Sequence, residues 1–211
     1  MASCAGTALQ QPVHVRSEHI TSTRFWAPYL NLLFIEDAGV STKPTQIVPL
    51  WPLGYYAFNA SYPAMFAPIA INTMPQGVKR IEISALITGH GSDSNGCGEF
   101  CNQTHTFWVA PRSSNQQFVT FSASANEAGT AFGCADQVPN GVQPNSRGTW
   151  LYGRGMWCNG RQVDPLTFDV TSLLMNGGVI IYNATNDGHA PNGTGGIPSY
   201  IDFEAFLTIW T

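Results

Sequence analysis

From Ile201 to Ile209, apolar residues recur at every second position: Ile201, Phe203, Ala205, Leu207 and Ile209, with Asp202, Glu204 and Thr208 between them. A period of two places alternate side chains on one face of a strand and has no helical counterpart. Ile81, Ile83, Ala85 and Ile87 repeat the pattern around Glu82, Ser84 and Leu86. Shorter strand candidates lie at residues 106–110, 118–123, 167–170 and 179–183. Connections rich in Gly, Pro, Asn and Ser separate them, as at residues 139–148 and 187–198. Helical spacing never persists for three turns, and residues 171–178 allow one short turn closed by glycine. Many short strands with turn-rich links predict an all-β fold, an antiparallel jelly-roll sandwich. The domain is expected over residues 41–211, opening with an extended, weakly periodic lead-in at residues 41–58. Residues 1–40 read as a leading segment. Its dense apolar run at residues 25–37 is either a first strand of the sandwich or the end of a preceding jelly roll. No internal repeat is visible.

Charge narrows the function. Only 10% of the 211 residues are charged, against about 25% in an average soluble protein. The surface must then be covered by neutral polar groups, by sugar, or by a neighbouring domain or subunit. A net charge of −4, with Lys79-Arg80 the one basic doublet, leaves no stripe that could neutralise phosphates, so no nucleic-acid partner is expected. No apolar run approaches the roughly 18 residues of a membrane span. The first residues carry neither the basic nor the apolar region of a secretory signal. Yet Asn59, Asn102, Asn183 and Asn192 each head an Asn-x-Ser/Thr acceptor site. With cysteine bridges, these point to a secretory, extracellular or particle-surface setting. A removed leader, an excerpted chain or a particle assembled in the cytosol would each reconcile that setting with the missing signal.

Five cysteines occur, at positions 4, 97, 101, 134 and 158. Their spacings supply no paired Cys-x-x-Cys knuckles, so no metal is expected. Disulfides Cys97–Cys101 and Cys134–Cys158 are the better reading, leaving Cys4 over. The longer ring is worth about 3.5 kcal/mol by loop entropy and the short one only about 2. The short ring therefore serves best to fix backbone direction, with Gly98 relieving strain. The side chain it presents, outward from the rim of the sandwich, is Glu99.

The run Gly89-His90-Gly91, then Gly96-Cys97-Gly98-Glu99-Phe100-Cys101 and Thr104-His105-Thr106, closely resembles the C-terminal domain of bacterial peptide-N-glycosidase F. Phe132-Gly133-Cys134 and Arg154-Gly155-Met156-Trp157-Cys158 match the same domain's second disulfide pair with its preceding Arg and Trp. The likeness extends over about residues 45–211. It implies two side-by-side jelly rolls that hydrolyse the bond between asparagine and the first N-acetylglucosamine of an N-linked glycan. It also implies catalytic roles for Glu99, Arg154 and His90, no cofactor, and an N-glycosylated protein or peptide as partner. Chemically, Glu99 would orient or deprotonate water while Arg154 or His90 stabilised the oxyanion. Phe100 and Trp157 would stack on sugar or peptide. The wider superfamily includes copper type II ascorbate-dependent monooxygenases. Their copper ligands are His-rich, and no such cluster is present.

The chain departs from that pattern in three ways. The family's principal aspartate, which belongs to the N-terminal jelly roll, has no counterpart in residues 1–40. Thr88 and Phe100 stand where the family has tryptophans. Plainer roles are also open: His90 as a satisfied turn residue, His105 in packing, and Trp150 and Trp157 as core aromatics. Two functions follow. One is half of an N-glycan amidase, inactive alone; the other is a non-catalytic structural, assembly or glycan-binding jelly-roll subunit.

Overall fold

The computed structural model describes residues 44–93, 97–113, 117–144, 148–187, 191 and 196–211, all within one compact unit. Expectations for Cys4, Asn192, the apolar run at 25–37 and the leading segment lie outside the described residues. Among the described residues, nine strands form two antiparallel sheets. In the first, β1 (Pro44–Pro49) and β2 (Gly54–Ala57) both pair with β9 (Gly196–Trp210). There β9 pairs with β4 (Arg80–Asp93), and β4 with β7 (Leu166–Asp169). The second sheet runs β3 (Ile69–Ile71), β8 (Gly178–Asn186), β5 (Gln103–Pro111), β6 (Val119–Ser124). Counting β1 and β2 as one interrupted strand, the eight strands pair first with last, second with seventh, third with sixth and fourth with fifth. That nested pairing, split between two sheets, is the jelly roll expected from the sequence.

The two alternating runs become the centre of the first sheet. Ile83 faces Leu207, Ala85 faces Ala205 and Ile87 faces Phe203 across β4 and β9, and all six are buried. Phe107, Val109, Ile180 and Tyr182 meet them from the second sheet. The expected turn is α1 (Thr171–Leu174), which seats the buried Leu174.

The lead-in at residues 41–58 contains two strands rather than an aperiodic extension, and this corrects the sequence reading. The strand is an edge, held by backbone pairing, so most of its residues stay solvated and no alternation is imposed. Trp51 interrupts it and turns into the core, where its indole donates to the Ala67 carbonyl at 2.9 Å and packs against Phe66, Phe107, Tyr182 and Phe203. A polar chain crosses the same core. The Tyr182 hydroxyl lies 2.9 Å from that of Tyr62 and 2.7 Å from His105 Nδ1, so His105 does have the packing role.

Candidate active site

β4 leads out of the sandwich to the ring closed by Cys97–Cys101, whose Cα atoms are 5.0 Å apart. Inside the ring, Gly98–Phe100 forms one 3-10 turn. Gly98 has φ of 52°, and a Cβ there would collide with the Gly91 carbonyl, so glycine is required twice over. The second disulfide, Cys134–Cys158, closes 24 residues and anchors the segment that carries Arg154 and Trp157. Between Arg154 and Trp157, Met156 holds φ of 66°, a conformation costing a β-substituted residue of order 1 kcal/mol.

Main-chain atoms tie these pieces together. Gly155 N–H donates to the Glu99 carbonyl and Gly89 N–H to the Gly155 carbonyl, each at 2.8 Å. The Trp157 indole donates to the Gly89 carbonyl at 2.7 Å. Gln103, fully buried at the start of β5, donates from Nε2 to the Gly98 carbonyl at 3.1 Å. Its amide fits only because Gly89 and Gly155 lack side chains; a Cβ at either would collide with it.

Onto that frame the fold brings four of the five expected site residues. Arg154 Nη1 contacts Glu99 Oε1 at 2.6 Å. Nη2 donates to both the carbonyl and the hydroxyl of Thr149 at 2.9 Å. The guanidinium carbon lies 4.9 Å from the ring centroids of both Phe100 and Trp157, a double cation–π contact. His90, the fifth, packs 5.1 Å from Trp157 and stacks on Tyr200 at 5.4 Å, while its Nε2 sits 2.7 Å from Thr88 Oγ1. Flanked by Arg154 and His90, Trp157 forms wall rather than an open platform. Phe100 instead borders an apolar pocket of about 270 Å³ with Thr149, Tyr152 and Gly129.

Glu99 does not project freely from the rim, which corrects the sequence expectation. Its side chain is only 12% exposed, because Arg154 reaches across and the two charges draw each other under Phe100. Burial pushes the Glu99 carboxyl up, and the hydrogen bond and charge of Arg154 pull it partly back. Burial lowers His90, opposed by the Asp202 carboxylate and assisted by Arg154, so the ring is neutral near pH 7. The arrangement can therefore hold a carboxylate whose basicity exceeds that of a solvated one.

Among the described residues, one group lies at metal-holding distances: Cys97, Cys101 and Asp187. Its two sulfurs are bonded to each other and are not thiolate ligands. Of the acceptor asparagines, Asn59 Oδ1 accepts from Ser61 N–H and hydroxyl, Asn102 donates to Asn126, and Asn183 accepts from Ala184 N–H. Sequence reasoning missed Gln103 and Thr149. A signal existed for Gln103, a polar residue in register with the inward-facing His105, Phe107 and Val109. None existed for Thr149.

A family model described as Peptide-N-glycosidase F, C terminal, matches residues 61–207. The chain is 29% identical over 133 residues to Peptide-N(4)-(N-acetyl-beta-D-glucosaminyl)asparagine amidase F of Elizabethkingia miricola, covering 60% of this chain and 34% of that protein. Recombinant peptide: N-glycanase F aligns with a TM-score of 0.49 and 20% identity over 77% of this chain and 50% of its own. PNGase F, a glycosylasparaginase from Flavobacterium meningosepticum, aligns at 0.47 and 20% over 78% and 51%. The chain thus spans about a third of the length of the curated relative and half that of the solved structures. The family match encloses both disulfides, the 3-10 turn with Glu99 and the segment bearing Arg154. The chain belongs to the family of peptide-N-glycosidase F C-terminal domains.

Proposed function

We propose that this jelly roll supplies one wall of an N-glycan amidase site and acts with an aspartate-bearing N-terminal jelly roll, being inactive alone. Glu99 takes a proton from, or orients, the water that attacks the asparagine side-chain carbonyl. The acyl carbon gains the water oxygen, its bond to nitrogen breaks, the proton taken from water passes to the departing nitrogen, and the products are an aspartate and a glycosylamine. Arg154 holds Glu99 in place and offers positive charge to the oxyanion, and the Phe100 pocket receives an apolar sugar face. His90 buttresses Trp157 as a positioning residue.

The observation that carries this reading is the Glu99–Arg154 pair. A largely buried carboxylate with raised basicity, fixed by a disulfide ring and a main-chain lattice, is what general-base work on an amide requires. Both disulfides favour a secreted or extracellular setting.

A denatured N-glycoprotein, incubated with this chain and with the longer protein joining it to an aspartate-bearing jelly roll, tests the proposal. The expected result is no glycan release by the chain alone, release by the longer protein, and at least 100-fold loss in Glu99→Gln, assayed well below its melting temperature where its spectrum is native. Release that survives Glu99→Gln, or release by this chain alone, overturns it. A second reading, an assembly or glycan-binding subunit, is favoured by one observation. Tyr55 is 71% exposed and Ile47 62% exposed on the edge strand pieces of a sparsely charged molecule. Concentration-dependent self-association in sedimentation, without amidase activity, would support that alternative.

A further inference from the structure

The outer strand of a sheet offers unpaired main-chain groups to whatever approaches, and proteins ordinarily blunt it with proline, charge, a bulge or brevity. Among the described residues, every edge strand but one is blunted in this way. β1 begins and ends on proline and shifts register between Pro44 and Gln46. β2 and β7 have four residues each, and β7 follows Pro165 and carries Asp169. β3 has three. β6 is the exception. It ends the second sheet and pairs with β5 in unbroken register from Val119 to Ser124. From Gln117 to Ala125 the chain holds neither charge nor proline, and Phe118 and Val119 are 45% and 42% exposed.

The ladder shows which groups stay open. Ala125 N–H donates to the Gln103 carbonyl at 2.8 Å, so Ala123, Phe121 and Val119 also turn their N–H and C=O toward β5. Thr120, Ser122 and Ser124 turn theirs to the open edge. Side chains divide with the same period. Phe121 packs against the core, whereas the hydroxyls of Ser122 and Ser124 lie on the outer face, 3.0 Å from Thr106 Oγ1 and 2.8 Å from Thr104 Oγ1. A strand that fits this edge has apolar side chains on one face and small hydroxyls on the other. It also carries no charge, because β6 has none to answer it. β6 is itself such a strand. Run antiparallel to its own copy about a twofold axis, it keeps apolar residues opposite apolar ones and hydroxyls opposite hydroxyls.

We propose that β6 is the contact of a homodimer, in which two copies join their four-stranded second sheets into one continuous sheet. The register centres on Phe121. There ring meets ring in the closer, non-hydrogen-bonded pair, and Thr120 exchanges main-chain hydrogen bonds with Ser122 of the partner subunit. A contact this small must offset the translational freedom lost on association, so the dimer is a weak one. The inference does not rest on amide cleavage; β6 carries none of the residues assigned to that chemistry.

Sedimentation equilibrium of the chain from about 5 to about 500 µM tests it, a range suited to weak association. The mean mass should rise toward twice the monomer value. Ser122→Pro removes an outward N–H but no main-chain bond to β5, and Thr120→Lys adds an unanswered charge. Each should weaken association at least ten-fold in a chain with a native spectrum. Should Ser122→Pro fold poorly, Thr120→Lys, which alters no main-chain group, decides alone. Thr167→Lys, on the β7 edge, should leave association unchanged. Amide hydrogen exchange at Thr120 and Ser122 should slow as concentration rises, while Phe121 and Ala123, already bonded to β5, keep their rates. A monomer at every concentration overturns the inference, as does association that survives the β6 substitutions or falls equally in Thr167→Lys. Exchange at Thr120 and Ser122 that ignores concentration also overturns it, whether fast or, in the longer protein, slow at every dilution because a strand of that same molecule fills the edge. A dimer without amide cleavage by the longer protein sinks the amidase proposal and keeps this one; cleavage with a strictly monomeric chain does the reverse.

Discussion

Arg154 meets a carboxylate, a threonine and two aromatic rings, and this explains why its loss should be felt well beyond charge. Arg154→Met keeps the length and the apolar contact with Phe100 and Trp157 but leaves Glu99 nearly buried without its cation. The expected cost is on the order of 3 kcal/mol in urea unfolding, with Glu99 protonating at a higher pH than before. Complete retention of the urea midpoint would contradict that account of the pair. His105 sets the acid limit differently. Burial pushes it down to about 3, whereas the unfolded side chain titrates near 6.5. Between those values the unfolded chain binds more protons, so stability rises with pH across the window and is lost as pH falls through it. At about 1.4 kcal/mol per pH unit, several kcal/mol disappear by pH 3. His105→Gln should flatten that acid slope when urea midpoints are compared from pH 7 to pH 4. Glu99 acts with the opposite sign: its raised folded value removes stability as pH climbs past the unfolded carboxyl range.

At the scale of elements, the site depends on where β4 and β5 begin and end. Gln103 opens β5 and reaches back to the carbonyl of Gly98, fitting against Gly89 near the end of β4 and against Gly155. Gly89→Ala should therefore cost on the order of 2 kcal/mol by overpacking. On a Gln103→Ala background the same change should cost much less, giving a coupling of at least about 1 kcal/mol in a double-mutant cycle. Simple additivity would mean the amide is not what fills the space beside Gly89. The strands themselves divide by visibility. β4 and β9 sit in the middle of a sheet with one face on the core, so burial wrote a period of two into Ile81–Ile87 and Ile201–Ile209. β1 and β2 are edge pieces held by backbone hydrogen bonds, and β3 has three residues, so neither class had to record its pairing in side-chain pattern.

For the whole molecule, the two bridges should differ in worth. Replacing Cys134 and Cys158 by serine opens a 24-residue span and should lower stability by about 3.5 kcal/mol, against about 2 for Cys97 and Cys101. Denaturant midpoints of the two double variants give the order directly, and a reversed order would show that the small ring carries more than chain entropy. Both pairings were legible from cysteine spacing, as was the presence of Glu99 in a rigid ring. The posture of Glu99 was not legible, because the arginine that draws it inward lies 55 positions further along the chain and meets it only through tertiary packing. The support beneath Glu99 is built chiefly of peptide groups: Gly98, Gly155 and Gly89 contribute carbonyls and amides, with one glutamine amide and one indole completing it. Peptide groups are common to every residue type. Many of the rim's side chains can thus change while the acid keeps the same address, so long as the glycines, Gln103, Trp157, Arg154 and the Cys97–Cys101 bridge endure. Saturation mutagenesis of that rim should accordingly return a sparse map, intolerant at those few positions and permissive between them.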